Sequence, residues 1–109
     1  MTENELMKKV RERWESIVMH RAIEAFGNNN QIDQAEQELI ELLDALKHRH
    51  RPGRETNLYE EIADVEIMLE QLKIIFRCDD AVSGMRTRKL ARLEQRIDKY
   101  MSQGQEEGA

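Results

Sequence analysis

Residues 34–46, QAEQELIELLDAL, and residues 57–72, NLYEEIADVEIMLEQL, decide how this chain folds and what it can hold. In both segments apolar residues recur three and four positions apart, the period of an amphipathic helix. Each segment also carries an acid pair at a spacing of three, Glu38 with Glu41 and Glu61 with Asp64. That spacing sets both carboxylates of a pair on one side of a helix. Residues 42–60 lie between the pairs and include the Pro52-Gly53 break, room for a helix end, a loop and a helix start. If the two helices run antiparallel, four carboxylates converge.

Their place relative to the apolar stripe matters more than their number. At about 100° per residue, Met68, Leu72, Val65, Phe76, Leu58, Leu69 and Ile62 fall between roughly −20° and +100° of Glu61. Glu61 therefore lies inside the sector the helix must bury, with Asp64 about 60° to one side. On the earlier helix Glu38 adjoins Leu42, Ala35, Leu46 and Leu39, and Glu41 is again about 60° away. Gln34 and Ala45 fall between the two acids of that helix. An unpaired buried carboxylate is costly and answers by holding its proton, and four together repel. Hard divalent cations with oxygen ligands, Mg²⁺ or Mn²⁺, suit an all-carboxylate set. A single Glu-x-x-Glu in a chain that is 36% charged reads equally as a solvated helix position. Two pairs that both abut the apolar stripe favour a metal site.

The remaining sequence supports one all-α domain over residues 1–101, a four-helix bundle, followed by a disordered polar tail over 102–109. The chain has 109 residues, one proline and five glycines, with few aromatics, a length suited to one core. Thr2 and Glu5 form a capping box, and Leu6, Val10, Trp14, Ile17, Val18, Ala22, Ile23 and Phe26 form a helical stripe with Trp14 expected to pack. Gly27 and Asn28–Asn30 end that helix. The second is expected from about Gln31 to His48, the third from the capping residue Asn57 to about Arg77, and the fourth from Asp79-Asp80 to about Met101. His48 and His50 stand at a helix end without partners at ligand spacing, so they read as capping or exposed groups. Cys78 is the single cysteine, which excludes an internal disulfide and suits a reducing compartment.

No leader and no long apolar run is found, so a soluble, cytoplasmic protein without membrane contact is expected. The net charge of −5 argues against general nucleic-acid binding. Charge is unevenly spread. Gln31 to Glu70 holds eleven acids and four Lys/Arg, whereas Arg77 to Tyr100 holds seven Lys/Arg and four acids. An acidic metal cleft beside a basic helix would hold a polyphosphate through both.

Glu38-x-x-Glu41 and, after the loop, Glu61-Ile-Ala-Asp64-Val65 resemble the metal-binding signature of the MazG-like all-α nucleoside triphosphate pyrophosphohydrolases, which include the dimeric dUTPases and dCTPases. Gly27–Gln34, Ile67-Met68-Leu69-x-Gln71-Leu72 and Lys89-Leu-Ala-Arg92-Leu93 extend the resemblance over roughly residues 14–97. It implies an antiparallel metal-binding helix pair and Mg²⁺-dependent hydrolysis of (d)NTP to (d)NMP and pyrophosphate. It carries over Glu38, Glu41, Glu61 and Asp64 as metal ligands and catalytic acids, and Lys89 and Arg92 as groups near the phosphates. Arg96 lies one turn further on the same face, and Gln34 is a further candidate for a polar contact with substrate. Gln37 stands where the family often has a second Glu, and Met85-Arg86-Thr87 where relatives often carry an Asn.

A homodimer or homotetramer is expected, since the acid-flanked apolar faces are wide for so few helices. The alternative is a non-catalytic helical oligomerisation or adaptor module whose acid pairs make salt bridges. A di-iron bundle would need Glu-x-x-His on two helices, and none of His20, His48 and His50 has a Glu three residues before it.

Overall fold

In a computed structural model of the chain, backbone is described for residues 1–108 and side chains for residues 1–104. The described residues form four helices and no strand: α1 (Glu3–Phe26), α2 (Asn28–Lys47), α3 (Glu55–Ile75) and α4 (Asp79–Gly108). The all-α expectation therefore holds. The chain divides into two units, Met1–Arg77 and Cys78–Ala109.

The helix boundaries follow from capping. Glu5 N–H donates to Thr2 Oγ1 at 3.1 Å and Thr2 N–H donates back to Glu5 Oε2 at 3.3 Å, the expected capping box of α1. Gly27 ends α1 at φ 88° and ψ 153°, its N–H reaching Ile23 O at 2.8 Å. Side chains are excluded from that conformation, which is why glycine stands there. The three asparagines after it are not a break. They form the first turn of α2, where Asn30 Nδ2 donates to Phe26 O at 2.7 Å, so one side chain closes α1 while its backbone starts α2.

At the other end of α2, His48 N–H bonds to Asp44 O, and its Nδ1 lies 2.9 Å from the same carbonyl. His48 is a capping residue, as expected. Gly53 (φ 81°) turns the chain after Pro52, and Leu58 N–H already reaches Arg54 O at 3.1 Å. That bond starts α3 before Asn57, which lies inside the first turn and caps nothing. Arg77 takes a left-handed φ of 52° just past Phe76, so α3 ends two residues sooner than the apolar period suggests.

The first unit is organised on an antiparallel α2–α3 hairpin. Gln31, near the start of α2, bonds to Gln71, near the end of α3, whereas Glu38, further along α2, meets Glu61 and Asp64, earlier on α3. Gln31, Ala35, Glu38, Leu42 and Ala45 are spaced alternately four and three apart, the repeat of a helix seam. Leu58, Glu61, Val65, Met68, Leu72 and Ile75 continue it on α3. Ala35 and Ala45, each 3% exposed, and Val65 and Met68, each 7% exposed, are the buried apolar residues among those described. Two alanines let the helices approach closely, and burying Val65 and Met68 contributes about 1.5–3 kcal/mol each.

The apolar faces are wider than this seam. Ile62, Leu69 and Phe76, placed in the buried sector by angle alone, are exposed, as are Leu39 and Leu46. α1 contacts both α2 and α3, with Met19, Ala22 and Ile23 half-buried. Trp14 does not pack as expected: it is 63% exposed, in line with Leu6, Val10 and Ile17 on the same stripe.

The second unit is α4, thirty residues long. Its helix runs past Met101 to Gly108, beyond the end that the apolar stripe indicates. Ser102–Glu107 holds no proline and is rich in Gln and Glu, good helix formers, and Gly104 costs only about 1 kcal/mol. Ala109, the last residue of the expected tail, lies outside the described residues. Leu90, Leu93, Ile97 and Met101 lie along α4 and are exposed. No helix among the described residues is long and apolar enough to cross a membrane.

Candidate metal centre

Antiparallel pairing brings the two acid pairs to the middle of the hairpin. Glu38, Glu61 and Asp64 each offer a carboxylate oxygen, and these oxygens lie within 4.8 Å of one another. Glu38 and Glu61 are half-buried because both hold seam positions, while Asp64 is exposed at the rim. For Glu38, Glu61 and Asp64 the depth order matches the angular reading of the sequence, whereas Glu41, set aside on its helix as Asp64 is, does not follow it. Glu41 is half-buried beside them and outside that group of three, and Gln37 Nε2 donates to its Oε1 at 3.3 Å.

The electrostatics of the cluster are unfavourable as it stands. Burial raises the Glu38 carboxyl above its ordinary 4.5, the Gln34 hydrogen bond opposes that rise, and repulsion from Glu41 and Asp64 adds to it. Glu61 is raised in the same way, by burial first and then by Glu41, Glu38 and Asp64. One oxygen of each residue, Glu38 Oε2 and Glu61 Oε2, is shielded from solvent and has no hydrogen-bond partner. Such shielded orphan acceptors are rare in folded proteins. None of the ion pairs among the described residues involves Glu38, Glu41, Glu61 or Asp64.

The donor set fits a hard dication. All the atoms are carboxylate oxygens, and oxygens on opposite sides of Mg²⁺ stand about 4.2 Å apart, around Ca²⁺ about 5 Å. No histidine or cysteine takes part. His20 Nδ1 lies 2.8 Å from Ser16 O on the surface of α1, and Cys78 is half-buried and free.

Gln34 is exposed, and its Nε2 donates to Glu38 Oε1 at 2.8 Å. Lys89, Arg92 and Arg96 lie on one face of α4 in the second unit, all exposed. Sequence reasoning missed one pair. Gln31 Nε2 donates to Gln71 Oε1 at 2.7 Å inside the seam, two helical turns from Glu38. Extending the four-three spacing back from Ala35 reaches Gln31 and would have marked it. Comparison with protein-family models, curated proteins and solved structures gives no match for this chain.

Proposed function

We propose that the α2–α3 hairpin is the metal centre of a (d)NTP pyrophosphohydrolase that releases (d)NMP and pyrophosphate. The observation that carries this reading is the convergence of Glu38, Glu61 and Asp64 within 4.8 Å, with shielded, unpartnered oxygens on Glu38 and Glu61. Acids so placed are tolerated when positive charge stands among them, and none of the ion pairs among the described residues supplies it. Mg²⁺ held there would neutralise a triphosphate and lower the pKa of a bound water. The carboxylates would then have two tasks: Glu38, Glu61 and Asp64, with Glu41, would hold the ion, and one of the four would accept a proton from the attacking water. Lys89, Arg92 and Arg96 are assigned to the substrate phosphates, on the sequence resemblance and their common helix face.

The four-helix type of the family and a homodimer or homotetramer belong to the same proposal. The many exposed apolar residues on α1, α2 and α3 support self-association, because extended exposed apolar surface commonly marks an interaction site. Light scattering is expected to give a dimer or tetramer, and a monomer would remove this part. The adaptor reading needs its acids in salt bridges, which the site does not contain.

Incubation with each nucleoside triphosphate and Mg²⁺ should release pyrophosphate and not orthophosphate. Glu38→Gln or Asp64→Asn should abolish turnover while the far-ultraviolet circular dichroism stays helical. Full activity in both variants would refute the site.

A further inference from the structure

We infer that Gln34 is a positioning residue for Glu38: it holds one carboxylate oxygen so that the other stays free for a divalent cation. The inference rests on the metal centre proposed above and deepens it. Gln34 sits one turn before Glu38 on the same helix, and its Nε2 donates to Glu38 Oε1 at 2.8 Å. Glu38 Oε2, the second oxygen, is shielded and has no hydrogen-bond partner. A glutamate carries three side-chain torsions, and its last torsion is broad. A single directed bond to one oxygen therefore selects which oxygen is left to ligate.

The same device recurs one register along the helix. Gln37 Nε2 donates to Glu41 Oε1, at a longer 3.3 Å. Both donors are neutral. A Glu at position 34 or 37 would supply no donor and would add a negative charge beside the cluster. Glutamine is the side chain that can reach across one turn, donate, and leave the charge of the site to its ligands.

The experiment is Mn²⁺ binding by titration calorimetry, without nucleotide, on the full chain and its Gln34→Ala and Gln37→Ala variants, with thermal melts in parallel. Gln34→Ala should weaken Mn²⁺ binding about tenfold or more, the usual consequence of removing a partner that orients a ligand. Gln34 is exposed, so the melting temperature without metal should stay close to that of the parent. Gln37→Ala should weaken binding less, in keeping with its longer bond. Equal Mn²⁺ affinity in parent and Gln34→Ala overturns the inference alone. Absence of Mn²⁺ binding by the parent overturns the metal centre and the inference together.

Discussion

Replacing Gln31 by leucine should destabilise the first unit although it makes the hairpin seam more apolar. Gln31 and Gln71 are 8% and 4% exposed, and the 2.7 Å bond between them is the polar contact that crosses the seam. In Gln31→Leu the Gln71 carbonyl loses its donor and stays buried, which costs about 1–3 kcal/mol. Gln71→Leu leaves the Gln31 amide in the same position. The Gln71 amide also points at Met68 Sδ at 3.9 Å, a weak acceptor that changes little. Taking about 2 kcal/mol for either single change, and about 4–8 °C per kcal/mol for a unit of this size, each melt should fall by roughly 8–16 °C. The double variant Gln31→Leu/Gln71→Leu removes donor and acceptor together and should return close to the parent or above it. Thermal melts of the four proteins, followed by circular dichroism, complete the cycle. Additive losses in the double variant would show that the two amides do not depend on each other, and the reasoning would fail.

Two further outcomes follow from the site and the caps. Gly27→Ala should cost about 1–3 kcal/mol, because the backbone there is nearly closed to side chains, although a Cβ would meet nothing within 4 Å; an unchanged melting temperature would contradict the observed φ. The raised carboxyls set a pH dependence whose sign is fixed. A group whose folded pKa lies above its unfolded value stabilises the fold below the unfolded value, here about the ordinary 4.5, and that contribution is lost as pH rises through the raised one. Without metal, the parent should therefore lose stability relative to Glu61→Gln as pH rises from about 4.5 toward neutrality, and Mg²⁺ should raise the parent's melting temperature more at neutral pH than in acid. Parallel curves for the two proteins would refute the raised Glu61 carboxyl.

Much of the fold could be read from local chemistry. The capping box at Thr2, the stop at Gly27 and the turn at Pro52-Gly53 are properties of a few adjacent residues, and they stand where their chemistry puts them. What failed depended on competition between neighbours. Asn57 has the pattern of a cap, yet the backbone bond from Leu58 to Arg54 starts α3 earlier. Asn28–Asn30 looks like a break, yet Asn30 satisfies the end of α1 from inside α2. The angular sector also overstated burial. Period shows which side of a helix is apolar but not how wide a strip a given neighbour covers, so Val65 and Met68 are buried while Ile62 and Leu69 are not.

The acids escape that uncertainty for a geometric reason. Glu38 and Glu61 stand at seam positions, in step with Ala35, Leu42, Val65 and Met68, so any packing that buries those residues must also draw the two carboxylates inward. Asp64, three residues on from Glu61, is carried to the rim by the same rotation. A hairpin built to minimise its own free energy would place leucine at 38 and 61, as it places alanine at 35 and 45. Retaining carboxylates there weakens a seam in which only four apolar residues among those described are buried. The weakness is local to the position where the two acid pairs meet, whereas the buried Gln31 and Gln71 are joined by a 2.7 Å amide–amide hydrogen bond. A polar seam whose members bond to each other needs nothing further. One whose oxygens are shielded and unpartnered would gain from a cation, and this difference between two places in one hairpin is the physical ground on which Glu38, Glu61 and Asp64 are proposed as the metal site.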